Sequence, residues 1–136
     1  MVADSSLNNL QSSSFNPNSE IFDNESLYRA IRPWKRYWKR RGVLSPAAFK
    51  DKNGLSLDRC GDRDEQKVID DFRIRKFDGT IISLNASEFR SVNVFLKPEP
   101  KYWPYHVLAL DSPDVILISD EKCDRLRFLA KTITTL

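Results

Sequence analysis

The chain has 136 residues, of which 40% are hydrophobic and 30% charged, with a net charge of +3. That length predicts a single domain with a modest core, and with only four glycines the fibrous and Gly-rich low-complexity classes are excluded. Residues 1–24 hold Asp4, Glu20 and Asp23 and no Lys or Arg, so the rest of the chain carries all of the positive excess, a balance that raises the local concentration of anionic partners.

Residues 1–24 are dominated by Ser and Asn, whose side chains bond to nearby backbone and compete with regular structure. Leu7, Leu10, Phe15, Ile21 and Phe22 are too sparse to offset ordering entropy. The expectation is a disordered, acidic tail over residues 1–24, ordering near Ile21 and Phe22, followed by one domain over residues 25–136. Leu27, Ala30 and Ile31 open that domain as a short strand or one helical turn. Pro33 disfavours helix at Arg32 yet suits a helix start. Trp34 and Trp38, spaced i, i+4, predict a helix from Trp34 to Arg41 that ends at Gly42.

Leu44, Ala47, Ala48 and Phe49 are expected in the core. Asn53-Gly54 signals a turn, and Leu55 and Leu57 alternate with Ser56 and Asp58 as a very short strand. Val68, Ile69 and Phe72 recur at helical spacing within Asp64–Phe77, with Asp62 or Asp64 as the cap. Three strands are expected next, at Thr80–Leu84, Val92–Leu96 and Tyr105–Leu110. Three prolines within Lys97–Pro104 forbid a tight hairpin before the last of them. Val115–Ile118 reads as a fourth apolar run. Ser119, Asp120 and Glu121 start a helix carrying Cys123, Leu126, Leu129, Ala130 and Ile133 on one face. The sum is an α+β domain with a short antiparallel or mixed sheet of three to four strands and two to three helices.

Cys60 and Cys123 match no metal-binding spacing and His106 is the only histidine, so neither a metal nor a cofactor is expected, and both thiols are read as reduced. No apolar run approaches the roughly 20 residues of a membrane span, and the N-terminus lacks the basic and apolar regions of a secretory signal. The expected location is cytoplasmic, with no membrane partner.

Chemistry is concentrated in Tyr28–Gly42, which holds seven basic residues, four aromatics and no acid. Cations neutralise phosphates and aromatic rings stack on unpaired bases, while Trp, Tyr and Arg are also the usual anchors of protein interfaces. The candidate binding residues are Arg32, Trp34, Lys35, Arg36, Tyr37, Trp38, Lys39, Arg40 and Arg41. The competing reading buries Trp34 and Trp38 and leaves the cations solvated. No G-x-S-x-G, P-loop or dinucleotide fingerprint is present, and the alternation of its strand sets His106 on the face of Leu108 and Leu110, as a structural histidine.

LYRAI at Leu27–Ile31, SPAAF at Ser45–Phe49, GLSLDR at Gly54–Arg59 and PYHVL at Pro104–Leu108 together resemble a family of small, mostly uncharacterised bacterial proteins. The resemblance runs from Leu27 to Leu110. It implies an accessory role of the kind found beside conflict or defence genes, and it carries no activity. The basic-aromatic stretch between LYRAI and SPAAF departs from the family pattern.

Three functions follow from these readings. The first is a non-enzymatic accessory or adaptor module that docks on a larger protein through the basic-aromatic segment. The second is a nucleic-acid binder using the same segment. The third is a small enzyme for a nucleotide-like substrate, which requires Arg29, Ser45, Ser56 and His106 to converge on one pocket.

Overall fold

The computed structural model describes residues 15–136; of the expected tail over residues 1–24, residues 1–14 lie outside them. Among the described residues six strands form one antiparallel sheet. In chain order they are β1 (Ser26–Ile31), β4 (Leu55–Arg59), β5 (Thr80–Asn85), β6 (Phe95–Pro98), β7 (His106–Leu110) and β8 (Lys131–Thr135). Their order across the sheet is β6-β7-β4-β1-β5-β8. A separate two-stranded hairpin joins β2 (Trp38–Arg40) to β3 (Val43–Leu44). The described residues also form three α-helices, α1 (Glu65–Ile74), α2 (Ala86–Ser91) and α3 (Asp120–Leu129), and two 3₁₀ turns, Lys35–Tyr37 and Pro46–Phe49.

The period-2 alternation of the strands divides the sheet into two faces. Leu27, Ile31, Leu55, Leu57, Ile82, Leu84, Val107 and Ala109 face the larger core. There they meet Phe49 of the second 3₁₀ turn, Phe89 of α2, and Cys123 and Leu126 of α3. On the opposite face Tyr28 and Ile81 pack under Val68, Ile69 and Phe72 of α1. Helix α1 packs over the β1–β5 part of that face, with Ile133 of β8 at its margin. Ser56, Asp58 and His106 of β4 and β7 share the rest of the face.

The helix caps follow their sequence signals. Asp64 accepts a hydrogen bond from the Lys67 amide at 2.8 Å and starts α1, and Ser119 caps α3. Asn85 and Glu88 form a capping box at α2, with Glu88 accepting from the Asn85 amide at 2.9 Å. Gly79 leads into β5 at φ +95°, and a Cβ there would overlap the Ile31 carbonyl oxygen, so only glycine fits this approach.

Several expectations are corrected. The sheet has six strands rather than three or four. Trp34–Arg41 is a 3₁₀ turn followed by a strand, not a helix. A helix would set Lys35 above Lys39 and Arg36 above Arg40, like charges at i, i+4 that repel; an extended chain separates them. Residues Ala86–Ser91 form α2, and the following strand runs Phe95–Pro98 rather than Val92–Leu96. Val115 makes one isolated bridge with Ser112 instead of opening a strand. Helix α3 stops at Leu129, and Lys131–Thr135 becomes a strand, because a run of Thr and Ile fits a pleated surface better than a helix.

Residues 15–25 are tied to the domain. Ile21 is buried, and Phe15 stacks on Tyr105 with ring centroids 5.0 Å apart. The anchor is Arg59, whose residue exposure is only 2%. Its Nε and Nη2 donate to the two Glu25 carboxylate oxygens at 2.9 and 2.8 Å. Nη1 donates to the Ser19 carbonyl at 2.8 Å, and Nη2 also to Glu20 at 3.1 Å. Removing one member of such a pair strands the other charge in the interior. Glu25→Ala is therefore expected to destabilise the domain by about 3–5 kcal/mol in denaturant unfolding, and to make residues 15–24 the first site of proteolysis.

Asp71 supplies a pH signature. Burial pushes its carboxyl up, but hydrogen bonds and charge from Arg63 and Lys67 outweigh burial and hold it below the ordinary carboxylate range. The unfolded chain then binds the proton first. The resulting stability is fully present above the unfolded value of about 3.9 and is lost as pH falls through the lower folded value. Thermal melts of Asp71→Asn should show a deficit at neutral pH that shrinks steadily on acidification.

Candidate functional site: basic-aromatic groove and polar cleft

The chain leaves β1 at Ile31 and turns at Pro33 into the basic-aromatic segment. Trp34 and Tyr37 stack, with centroids 5.6 Å apart and planes 16° from parallel. The Arg36 guanidinium lies 4.9 Å from each ring centroid and that of Arg32 lies 5.2 Å from Trp34. Arg36 also donates to the Tyr37 hydroxyl at 3.0 Å. Trp34 is 46% exposed.

Trp38 behaves differently. Like Tyr37 it packs half-buried against the main core, and it donates its indole N–H to the Arg32 carbonyl at 3.0 Å. The two tryptophans thus divide between surface and support, and the expected shared helical face is absent because the backbone extends at Trp38 (φ −132°). Arg32 pairs with Asp78 at 2.9 Å. Among the described residues Lys35, Arg36, Lys39, Arg40 and Arg41 have no carboxylate within 4.0 Å. An open groove of about 960 Å³ runs along Trp34, Lys35, Trp38 and Lys39–Gly42, with Thr132 and Thr135 of β8 on its far wall. Arg36 and Tyr37 stand outside this lining.

The second site lies where β1 parts from β4. These strands pair only at Leu27↔Arg59 and Tyr28↔Asp58, whereas β1 pairs with β5 along its whole length. The Arg29 side chain fills the opening, donating from Nε to the Ala48 carbonyl at 3.0 Å and from Nη1 to the Ser56 carbonyl at 3.1 Å. Burial lowers its pKa from the ordinary guanidinium value, against the pull of Tyr37 and Asp51. A cleft of about 190 Å³ opens here, bordered by Arg29, Ser56, Asp58, Arg75, Trp103 and His106, among others.

In this cleft His106 Nε2 lies 2.9 Å from Ser56 Oγ. Its Nδ1 lies 2.9 Å from the Glu99 carbonyl oxygen and 3.3 Å from Glu99 Oε1. Asp58, directly across from His106 in the sheet, accepts from Arg75 at 2.6 Å and from the Trp103 indole at 3.0 Å. Burial pushes the Asp58 carboxyl up from its usual range, against Arg75, Trp103 and Arg63. The Arg75 guanidinium lies over Trp103, 4.1 Å from the ring centroid, and near Phe72 and Phe77.

Of the four residues expected in one pocket, three converge. Ser45 does not: its hydroxyl accepts from the Ala47 amide at 3.1 Å and caps the second 3₁₀ turn. Asp58, Arg75, Glu99 and Trp103 were not anticipated as site residues. Trp103 sits in the Pro-rich loop and Arg75 at the end of α1, and only the sheet register brings them beside His106. Among the described residues no group of three or more His, Cys, Asp or Glu is placed to hold a metal ion, and no helix is long and apolar enough to cross a membrane. Cys60 and Cys123 are free, and burial pushes the Cys123 thiol up to about 11.

Comparison with protein-family models, curated proteins and solved structures yields no match to this chain. Residue roles therefore rest on the geometry above. Ser45→Ala is expected to lower stability by about 0.5–2 kcal/mol, the usual cost of losing a cap, while the NMR signals of the His106 ring stay in place. A shift of those signals would return Ser45 to the cleft.

Proposed function

We propose that the chain is an accessory or adaptor module whose groove at Pro33–Gly42 docks an extended acidic segment of a larger protein partner. One observation carries this reading: exposed Trp34, stacked on half-buried Tyr37 and held by Arg36, stands beside Lys35, Lys39, Arg40 and Arg41, none of which has an acidic neighbour among the described residues. Aromatic rings and Arg fixed in advance lose little entropy on contact and are the side chains that dominate protein interfaces. The uncompensated cations select an acidic partner and speed its encounter.

Strand β8 favours a peptide over other polyanions. It ends the sheet among the described residues, and its Thr132 and Thr135 line the groove. An extended chain entering there meets backbone donors and acceptors as well as cations. The same free cations support a second reading, binding of nucleic acid. The tight packing of Trp34 against Tyr37 and two guanidiniums weighs against it, since bases stack on open ring faces.

Fluorescence anisotropy separates the two. An extended Glu-rich peptide should bind, and Trp34→Ala should weaken it by about 2 kcal/mol or more, the scale of an interface hot spot, with the melting temperature unchanged because Trp34 is a surface residue. Unaltered affinity in Trp34→Ala retires the docking proposal. Binding of oligonucleotides instead, with log K falling about 0.9 per contacted phosphate against log salt, transfers the groove to nucleic acid.

A further inference from the structure

The cleft between β1 and β4 lies apart from the docking groove and shares no lining residue with it. We infer that it is a nucleophilic site, with Ser56 as nucleophile and His106 as base, for a short ester that carries a negative charge.

The order of hydrogen bonds carries the inference. A carbonyl oxygen can only accept, so the 2.9 Å contact with Glu99 sets the proton of neutral His106 on Nδ1. Nε2 then presents its lone pair to Ser56 Oγ at 2.9 Å. This is the arrangement a serine nucleophile needs: a base within hydrogen-bond reach, itself oriented by a third group. The Glu99 carboxylate, 3.3 Å from Nδ1, offsets the charge of the imidazolium that forms. Ser56 is exposed, so its hydroxyl has no burial to compensate and is open to a reactant.

The walls define the substrate class. Arg29 borders the cleft with no carboxylate within 4.0 Å among the described residues; its assigned partners are two carbonyls. Arg75 also borders it, and its buried Nε lacks any acceptor. Among the lining residues Asp58 sets one negative charge against these two guanidiniums, and the excess suits a carboxylate or phosphate on the substrate. A volume of about 190 Å³ equals the liquid share of roughly six water molecules, so the acyl part is short. Phe72, Phe77 and Trp103 provide apolar walls.

The reaction is acyl transfer to water. Ser56 Oγ bonds to the ester carbonyl carbon as its proton moves to His106 Nε2. The bond from that carbon to the alkoxy oxygen breaks, and Nε2 returns the proton to the departing alkoxide. Water then adds to the acyl-serine, giving a proton to Nε2, and the carbon–Oγ bond breaks as Oγ recovers it. Ester and water become acid and alcohol, with no change of oxidation state.

A fluorophosphonate probe, which labels activated serines, tests the assignment on the intact chain. Peptide mapping by mass spectrometry should find Ser56 labelled in the native protein, absent in Ser56→Ala, and labelled about 10²–10⁴-fold more slowly in His106→Gln, the range a general base supplies. Melting curves of both variants verify folding. An unlabelled Ser56 in the native protein overturns the proposal, as does equal labelling in His106→Gln or in the heat-denatured chain. Turnover of p-nitrophenyl hemisuccinate should exceed that of p-nitrophenyl acetate; equal rates remove the anionic-substrate assignment.

Discussion

The separation of β1 from β4 after the Tyr28↔Asp58 pair is the constraint on which the rest of the molecule depends. Had the ladder continued, Ala30 would face Ser56 and their backbone groups would close the gap. Instead the Ser56 carbonyl is satisfied by the Arg29 guanidinium, which also holds the Ala48 carbonyl. One side chain therefore ties the central strand to β4 and to the second 3₁₀ turn. An open sheet would otherwise leave unpaired polar groups in its interior. The cleft is a consequence of this opening: Ser56 is exposed and His106 half-buried in it, while Asp58 stays buried beside them.

Charge is used in two distinct ways. Inside, Arg59 is matched to Glu25, and Arg63 to Asp58 and Asp71. Arg75 is matched to Asp58. These cations are buried or half-buried, and each has a carboxylate within reach because an uncompensated ion in the interior is costly. Arg29 is the exception, bonded to carbonyls alone. Outside, along Lys35–Arg41, the cations have no carboxylate neighbours among the described residues, and solvent makes that arrangement cheap. The contrast separates residues that hold the fold from those left over for a partner. It also shows why a modest net charge conceals a strongly cationic surface.

Local rules were most legible where one short stretch settles the outcome. Asp64 and Ser119 announce their helices because a side-chain oxygen before a helical run caps orphan amides regardless of tertiary context. Thr80–Leu84 and Tyr105–Leu110 read as strands from β-branched or alternating residues. The misreadings share a cause. Trp34–Trp38 and Leu129–Ile133 each carry a helical spacing of apolar residues, but repulsion among like charges opposes a helix in the first. In the second, Ala130 is already extended (φ −67°, ψ 140°) and the following residues join the edge of the sheet. Spacing alone cannot weigh those terms. Asp58 was legible as a strand residue, but its burial and that of Arg59 were not, because the partners that compensate their charges lie far away in the chain.

By itself the sequence determined the α+β class, the helices capped by Asp64 and Ser119, and the concentration of cations and aromatics in Tyr28–Gly42, since composition and nearest neighbours decide these. It also marked Arg29, Ser45, Ser56 and His106 as a set. Tertiary structure alone decided that Ser45 leaves that set, and that Asp58, Glu99, Arg75 and Trp103 join it. It also divided Trp34 from Trp38. The physical reason is that strand register and the point where β1 and β4 part are settled by packing across the whole sheet, between residues dozens of positions apart, and no local pattern encodes such distances.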